Sequence, residues 1–331
     1  MIITRTPFRI SFVGGGSDIE EFYGQGGGAV LSTTINKHMY IASHRFFDED
    51  QVRVKYSKTE TVTNVADLEH PIVREALLRS QVCGALEISS NADIPAGSGL
   101  GSSSALTVGL LHNLYARSGK YVTKAQLAQE ACDVEIGKLK EPIGKQDQYA
   151  VAHGGLNVFH FNPSGTVSVE PVHLRADIYK ALEENLVLFY TGRQRIASQI
   201  LAEQKENLRT QETRDVMKQM VDFVWDAQDA LYQGNLERFG RVFDKTWRLK
   251  QRLASKVSNP AIGEIYQRGL QNGAIGGKLL GAGGSGFFLF YCDKARQAQL
   301  RAALGQYREL RFRFETEGTK VIYFGDEYAD E

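Results

Sequence analysis

The chain has 331 residues, 42% hydrophobic and 24% charged, with 39 Lys and Arg balanced by 39 Asp and Glu. That length exceeds what one core usually fills, so two domains are expected, and the neutral balance argues against a nucleic-acid or membrane surface as the main partner. No apolar run reaches the length of a membrane span, and the dispersed Cys83, Cys132 and Cys292 form neither a disulfide framework nor a metal cluster. With no signal-peptide core at the amino terminus, these features predict a cytoplasmic protein with reduced cysteines.

Residues 2–13 alternate as a strand and end in Gly14-Gly15-Gly16-Ser17-Asp18. A second triple glycine at 26–28 precedes another strand pattern over 29–43. Residues 51–80 read as a strand, a loop and a short helix after Pro71. A strand-like run at 85–88 then leads to a turn opened by Pro95.

The stretch after it, GSGLGSSSALTVGLLHNL, is the most informative in the chain. Glycines at 97, 99 and 101 let a backbone approach a ligand closely. The helix expected from Ser102, Ser103 and Ser104 onward would point free N–H groups and its positive end into the loop. Serines as helix caps would explain part of this pattern. Three alternating glycines and three serines exceed what a cap requires, and an anion site for phosphate is the better reading. No Gly-Lys-Ser/Thr closes the loop, so it is not a Walker A motif. The spacing also departs from the dinucleotide-binding fingerprint.

A helix is expected over 123–137. At about 100° per residue, Leu127, Ala128, Ala131, Cys132 and Val134 share an apolar arc with Glu135 near its middle, while Glu130 and Asp133 fall outside it. An inward carboxylate requires an ion pair or a metal, and the residues alone leave that choice open. Pro142 and Gly144 then break the helix and set Asp147 at the start of the next element, where a capping role would suffice. Residues 154–191 are strand-rich with a hairpin turn at 162–165. Arg193 and Arg195 follow at a strand-to-helix junction, where paired guanidinium groups suit a phosphate. Long amphipathic helices are expected to about residue 272, at 216–233, 236–254 and 261–270. A glycine loop at 281–286, a helix at 295–304 and strands at 310–314 and 320–324 complete the chain, an α-β-β-α-β order that fits a ferredoxin-like unit.

Three of these segments together resemble the GHMP kinases. TPFRISFVGGGSD resembles the family's first motif, PAGSGLGSSSA the second and KLLGAGGSGFFLFY the third, in order along nearly the whole chain. The resemblance implies an α+β fold of two domains. The first, 1–173, would bind ATP in a ribosomal protein S5 domain 2-like fold, and the second, 174–331, would be ferredoxin-like. Pro95, Gly97, Ser98, Gly99, Leu100, Gly101, Ser102, Ser103 and Ser104 would wrap the phosphates of ATP. Ser103, or Ser104, would hold Mg²⁺ with Glu135, Asp147 would be the base, and Arg9 would assist it. Asp18, Gly15, Gly16, Gly283 and Gly284 would meet the sugar, with Tyr56, Ser57 and Lys58 as candidates for the adenine pocket.

The wording KYSKTE…HPIVREAL resembles the heptose-phosphate kinase branch. A sugar phosphate is therefore the expected acceptor, with Arg195 and Arg193, or Lys138, Lys140 and Lys145, as its clamp. The expected reaction is phosphorylation at the anomeric oxygen. A fucokinase-like sugar kinase is the alternative within the family, and a non-catalytic sugar-phosphate sensor is the alternative outside it. The partners implied are the sugar phosphate and ATP, with no nucleic acid and no membrane; a homodimer is compatible but not required.

Overall fold

The structure is a computed structural model describing residues 1–325 except Cys83 and 193–196. Arg193 and Arg195 therefore lie outside the described residues. Two sheets organise the chain. In the larger, the strands run in the order Lys320–Phe324, Ile2–Val13, Gly28–Arg45, Leu86–Ala92, Val52–Lys55 and Thr59–Val62. Short strands Phe314–Glu315 and Asn157–Phe161 also pair with Gly28–Arg45. The contact between Val52–Lys55 and Leu86–Ala92 is parallel and its neighbours are antiparallel.

The smaller sheet is antiparallel, in the order Arg308–Glu309, Leu186–Tyr190, Phe287–Cys292 and Ala274–Leu279. The Phe287–Cys292 strand is buried along its whole length. It packs Phe288 edge-on against Trp247, with ring centroids 5.6 Å apart, a favoured aromatic arrangement. The helices Gln211–Tyr232, Leu236–Lys250 and Pro260–Gln271 cover this half. Phe12 joins the halves, reaching Phe239 at 5.6 Å and Phe243 at 5.8 Å.

The fold is α+β, as expected. However, Phe314–Glu315 and Lys320–Phe324 return to the first sheet rather than completing the second. Thr319 helps fix that return: its side-chain oxygen is hydrogen-bonded to Thr6 Oγ1 at 2.8 Å. Residues 314–315 and 320–324 thus extend the sheet of the amino-terminal half.

The helix expected over 123–137 divides into Lys124–Cys132 and a π-helical turn, Asp133–Lys138. Glu130 departs from its expected outward position. It is buried, accepting hydrogen bonds from Tyr115 Oη at 2.7 Å, Gln126 Nε2 at 3.0 Å and Arg79 Nε at 3.3 Å. An arginine and two neutral donors supply the compensation that a buried carboxylate requires.

Candidate active site

A cavity of about 430 Å³ lies where both halves meet. The strand Ile2–Val13 brings Arg9 to its wall, 4% exposed. Arg9 donates from Nε to Asp147 Oδ1 and from Nη2 to Asp147 Oδ2, each at 2.6 Å, and from Nη1 to the Gly99 carbonyl at 2.7 Å. A two-pronged guanidinium–carboxylate pair fixes both planes. Asp147 lies in the first turn of the Gln146–His153 helix, whose cap is Lys145, so the aspartate is not serving as the cap.

Asp18 is 2% exposed and accepts three hydrogen bonds. Gly16 N reaches Oδ1 at 2.8 Å, Gln146 Nε2 reaches Oδ1 at 2.8 Å and Gln146 N reaches Oδ2 at 3.1 Å. Burial raises its carboxyl above the ordinary range against the pull of the Gln146 and Gly16 amides. Gly144 permits this approach: a Cβ there would lie 1.9 Å from Asp18 Oδ2.

Gly97, Gly99, Gly101, Ser102 and Ser103 line the cavity. Gly101, with φ of 78°, is the left-handed cap of the Ser102–Arg117 helix, and no side chain caps it. That conformation favours glycine, and it leaves the first N–H groups of the helix for an anion. Pro95, Ser98, Leu100 and Ser104 stand outside the lining. Leu100 and Ser98 instead tie the loop down, their carbonyls accepting from Arg9 N at 3.0 Å and Phe287 N at 3.2 Å.

Glu135 projects from the π-helical turn, 1% exposed, and Gln148 Nε2 donates to its Oε2 at 2.7 Å. Burial raises it to about 7, against the lowering effect of Gln148 and the Ser103 and Ser104 hydroxyls. Among the described residues the buried Ser104 hydroxyl has no well-formed hydrogen bond, and no three His, Cys, Asp or Glu converge as metal ligands. One buried carboxylate beside hydroxyls fits Mg²⁺, which takes few protein oxygens and draws its remaining ligands from phosphates and water. Ser103 and Glu135 would hold the ion, and it would supply charge neutralisation for the phosphates.

At the other end, Gly15, Gly16 and Gly283 line the cavity but Gly284 does not. Its N–H donates to Val257 O at 2.9 Å. Tyr56, Ser57 and Lys58 are also absent from the lining; Tyr56 instead donates its hydroxyl to Glu60 at 2.8 Å. Met39, Ile72, Ala92, Ile94 and Leu106, with His70, contribute an apolar part of the lining. Lys138, Lys140 and Lys145 do not line the cavity either, and Lys145 is held by Gly165 O at 2.8 Å.

Among the lining residues that escaped the sequence reading, Gln204, Lys250 and Lys278 carry polar groups at buried positions. A Cβ on Gly16 would come 2.2 Å from Gln204 Nε2, so the glutamine occupies the room beside the triple glycine. Lys250 falls seven residues after Phe243 and eleven after Phe239, on the apolar face of its helix. Lys278 sits within a buried strand. A lysine on a core-facing position was the available signal in both cases.

A cavity lined by basic side chains, a glycine loop at a helix start, and an Arg-held aspartate together have the form of a small-molecule phosphotransferase site. The chain belongs to the GHMP kinases: the family's N-terminal domain model matches residues 68–155 and its C-terminal model residues 227–309. It is 28% identical to D-glycero-alpha-D-manno-heptose 7-phosphate kinase of Campylobacter jejuni, over 96% of this chain and 98% of that one. It is 32% identical to L-fucokinase/L-fucose-1-P guanylyltransferase of Bacteroides fragilis, over 65% of this chain but only 23% of that longer protein. Among solved structures, a D-glycero-D-manno-heptose 1-phosphate kinase from Bacteroides thetaiotaomicron superposes with TM-score 0.81 at 23% identity, covering 98% of this chain and all of the other. A phosphomevalonate kinase of Streptococcus pneumoniae, solved with phosphomevalonate and AMPPNP, superposes with TM-score 0.78 at 16% identity, over 95% and 100% of the two chains. Among the described residues no helix is long and apolar enough to cross a membrane.

Proposed function

We propose that this chain is an ATP- and Mg²⁺-dependent kinase that phosphorylates the anomeric hydroxyl of D-glycero-alpha-D-manno-heptose 7-phosphate. The product would be the 1,7-bisphosphate, a precursor for nucleotide-activated heptose and surface polysaccharide. The observation that carries this reading is the near end-to-end match to the Campylobacter jejuni enzyme. In support, Arg9, Lys250 and Lys278 line the cavity against two carboxylates, Asp18 and Asp147, a balance suited to phosphorylated ligands. A cytoplasmic site of action follows from the need for ATP.

Asp147 would accept the proton of the attacking hydroxyl, with Arg9 holding the carboxylate in place and facing the developing alkoxide. Asp18, locked by Gly16 and Gln146, would receive sugar hydroxyls. The loop amides at 101–103 would bind the nucleotide phosphates. The clamp for the 7-phosphate is assigned to Arg195 with Arg193.

The test is an ADP-coupled assay of heptose 7-phosphate, mannose and fucose, with ³¹P spectra of the product. Preference for the phosphorylated sugar and a new anomeric phosphate are expected. Preference for fucose would favour the second reading, fucokinase, which the 32% identity over 65% of the chain supports. A sugar-phosphate sensor would bind without turnover, although Asp147, Glu135 and the serines are all present.

A further inference from the structure

Three basic side chains line the cavity, and one of them, Arg9, is paired with Asp147. Lys250 and Lys278 are 6% and 2% exposed, and among the described residues their ammonium groups meet backbone carbonyls alone. Lys250 Nζ donates to Leu279 O at 3.0 Å and Gly281 O at 2.5 Å. Lys278 Nζ donates to Ser11 O at 2.9 Å and Phe12 O at 2.8 Å. A protonated ammonium has three donors, so Lys250 in its charged form retains one for a ligand, whereas burial with the Lys250 and Arg9 charges pushes Lys278 well below the ordinary lysine range. A buried cation without a counter-charge is costly, so Lys250 gains most from its proton when an anionic ligand arrives beside it.

The backbone contacts indicate which anion Lys250 serves. Gly281 packs against the middle of the phosphate loop: a Cβ on Gly281 would lie 2.6 Å from Gly99 Cα. Arg9 grips the same residue through the Gly99 carbonyl. Lys250 and Arg9 therefore flank the loop at one place, and Asp147 Oδ2 would be 3.6 Å from a Cβ on the adjoining Gly101. Lys278 is fastened to Ser11 and Phe12, toward the triple glycine.

We propose that Lys250 is a catalytic residue that binds the terminal phosphoryl group of the nucleotide opposite Arg9 and stabilises its charge during transfer. This rests on the kinase reading of the site. In that step the bond from the γ-phosphorus to the β–γ bridging oxygen breaks, and ADP leaves with the electron pair. The acceptor oxygen bonds to phosphorus, and its proton passes to Asp147. Lys250 contributes charge and a hydrogen bond. Burial, with the Arg9 charge adding to it, lowers Lys250 to about 7, so an arriving phosphoryl anion draws a proton onto it. The other charged groups around the site are Arg9, Asp18, Asp147 and Lys278, with Glu135 behind the serines.

Wild-type turnover with any sugar first establishes the kinase reading. Lys250→Met, similar in length but uncharged, is then expected to lower kcat by roughly 10²–10³-fold, with ADP affinity retained and partial recovery in Lys250→Arg. Near wild-type kcat in a variant that binds ADP overturns the proposal. Unchanged kcat with weakened binding of a phosphorylated acceptor also overturns it, because the lysine would then serve the acceptor's phosphate. Should Lys250→Met fail to fold, the wild type still decides. Calorimetry at about pH 8 without acceptor, in buffers of different ionisation enthalpy, is expected to show about one more proton taken up with Mg·ATP than with Mg·ADP. Equal uptake refutes the assignment.

Discussion

Arg9 and Asp147 meet in a two-pronged ion pair, with both N–O distances 2.6 Å, although 138 residues separate them in the chain. Each carboxylate oxygen retains a lone pair for an incoming hydroxyl. Asp147→Asn is expected to leave nucleotide binding close to normal and to lower turnover by roughly 10²–10⁴-fold, the usual range for acid–base groups. Single-turnover kinetics check this, and near wild-type turnover would leave Asp147 with a positioning role alone.

Glu135 links metal binding to pH. Its carboxyl is raised to about 7 by burial, so it is protonated below that pH and ionised above it. Metal binding requires the ionised form. The Mg²⁺ concentration for half-maximal activity is expected to climb as pH falls from about 8 to about 6, and to be higher but flat in Glu135→Gln. The sign for stability is the reverse. The folded carboxyl keeps its proton up to about 7, whereas the unfolded one releases it near 4.5. The stabilisation is therefore complete below the unfolded value and lost as pH rises through the folded one. Melting curves of metal-free wild type and Glu135→Gln across that window test the linkage, and a Mg²⁺ titration unaltered by the substitution would return Glu135 to a structural role.

Gly144→Ala tests Asp18. The added methyl would lie 1.9 Å from Asp18 Oδ2, which forces the carboxylate or the chain to move at a cost of about 1–3 kcal/mol. A lower melting temperature and a raised KM for the sugar are expected, with the KM for ATP unchanged. If the KM for the sugar stays at the wild-type value while stability falls, Asp18 is a structural residue.

The parts legible in the sequence are those built locally. The loop from Gly97 to Ser103 and the helix after it are one contiguous segment, so spacing alone located them. The long helices betrayed themselves by period, with ends shifted by a few residues. What stayed hidden was assembled across the chain. Gln204 reaches Gly16 only after packing, and the Lys320–Phe324 strand crosses back to pair with Ile2–Val13. Glu130 misled because its partners Arg79 and Tyr115 come from other helices.

The acceptor's phosphate gives the last prediction. A 7-phosphate dianion needs charged donors, since charge-assisted pairs are the strong ones. Lys145 is committed to Gly165 O, and Lys138 and Lys140 do not line the cavity. Lys250 is assigned to the nucleotide's terminal phosphoryl group. That leaves Arg195, just before the Ala197–Asn207 helix, as the principal assignment from sequence. Leu201 and Gln204 of that helix line the cavity. Arg195→Ala is expected to lower kcat/KM for heptose 7-phosphate by about 10- to 150-fold, equivalent to about 1.5–3 kcal/mol for a hydrogen bond to a charged group. The KM for ATP and the low activity on mannose should not change, because neither involves the 7-phosphate. If Arg195→Ala loses activity equally on phosphorylated and unphosphorylated sugars, Arg195 is no clamp. If it loses none while Lys278→Met loses selectivity, the phosphate lies deeper, against the Ser11–Phe12 backbone that Lys278 holds.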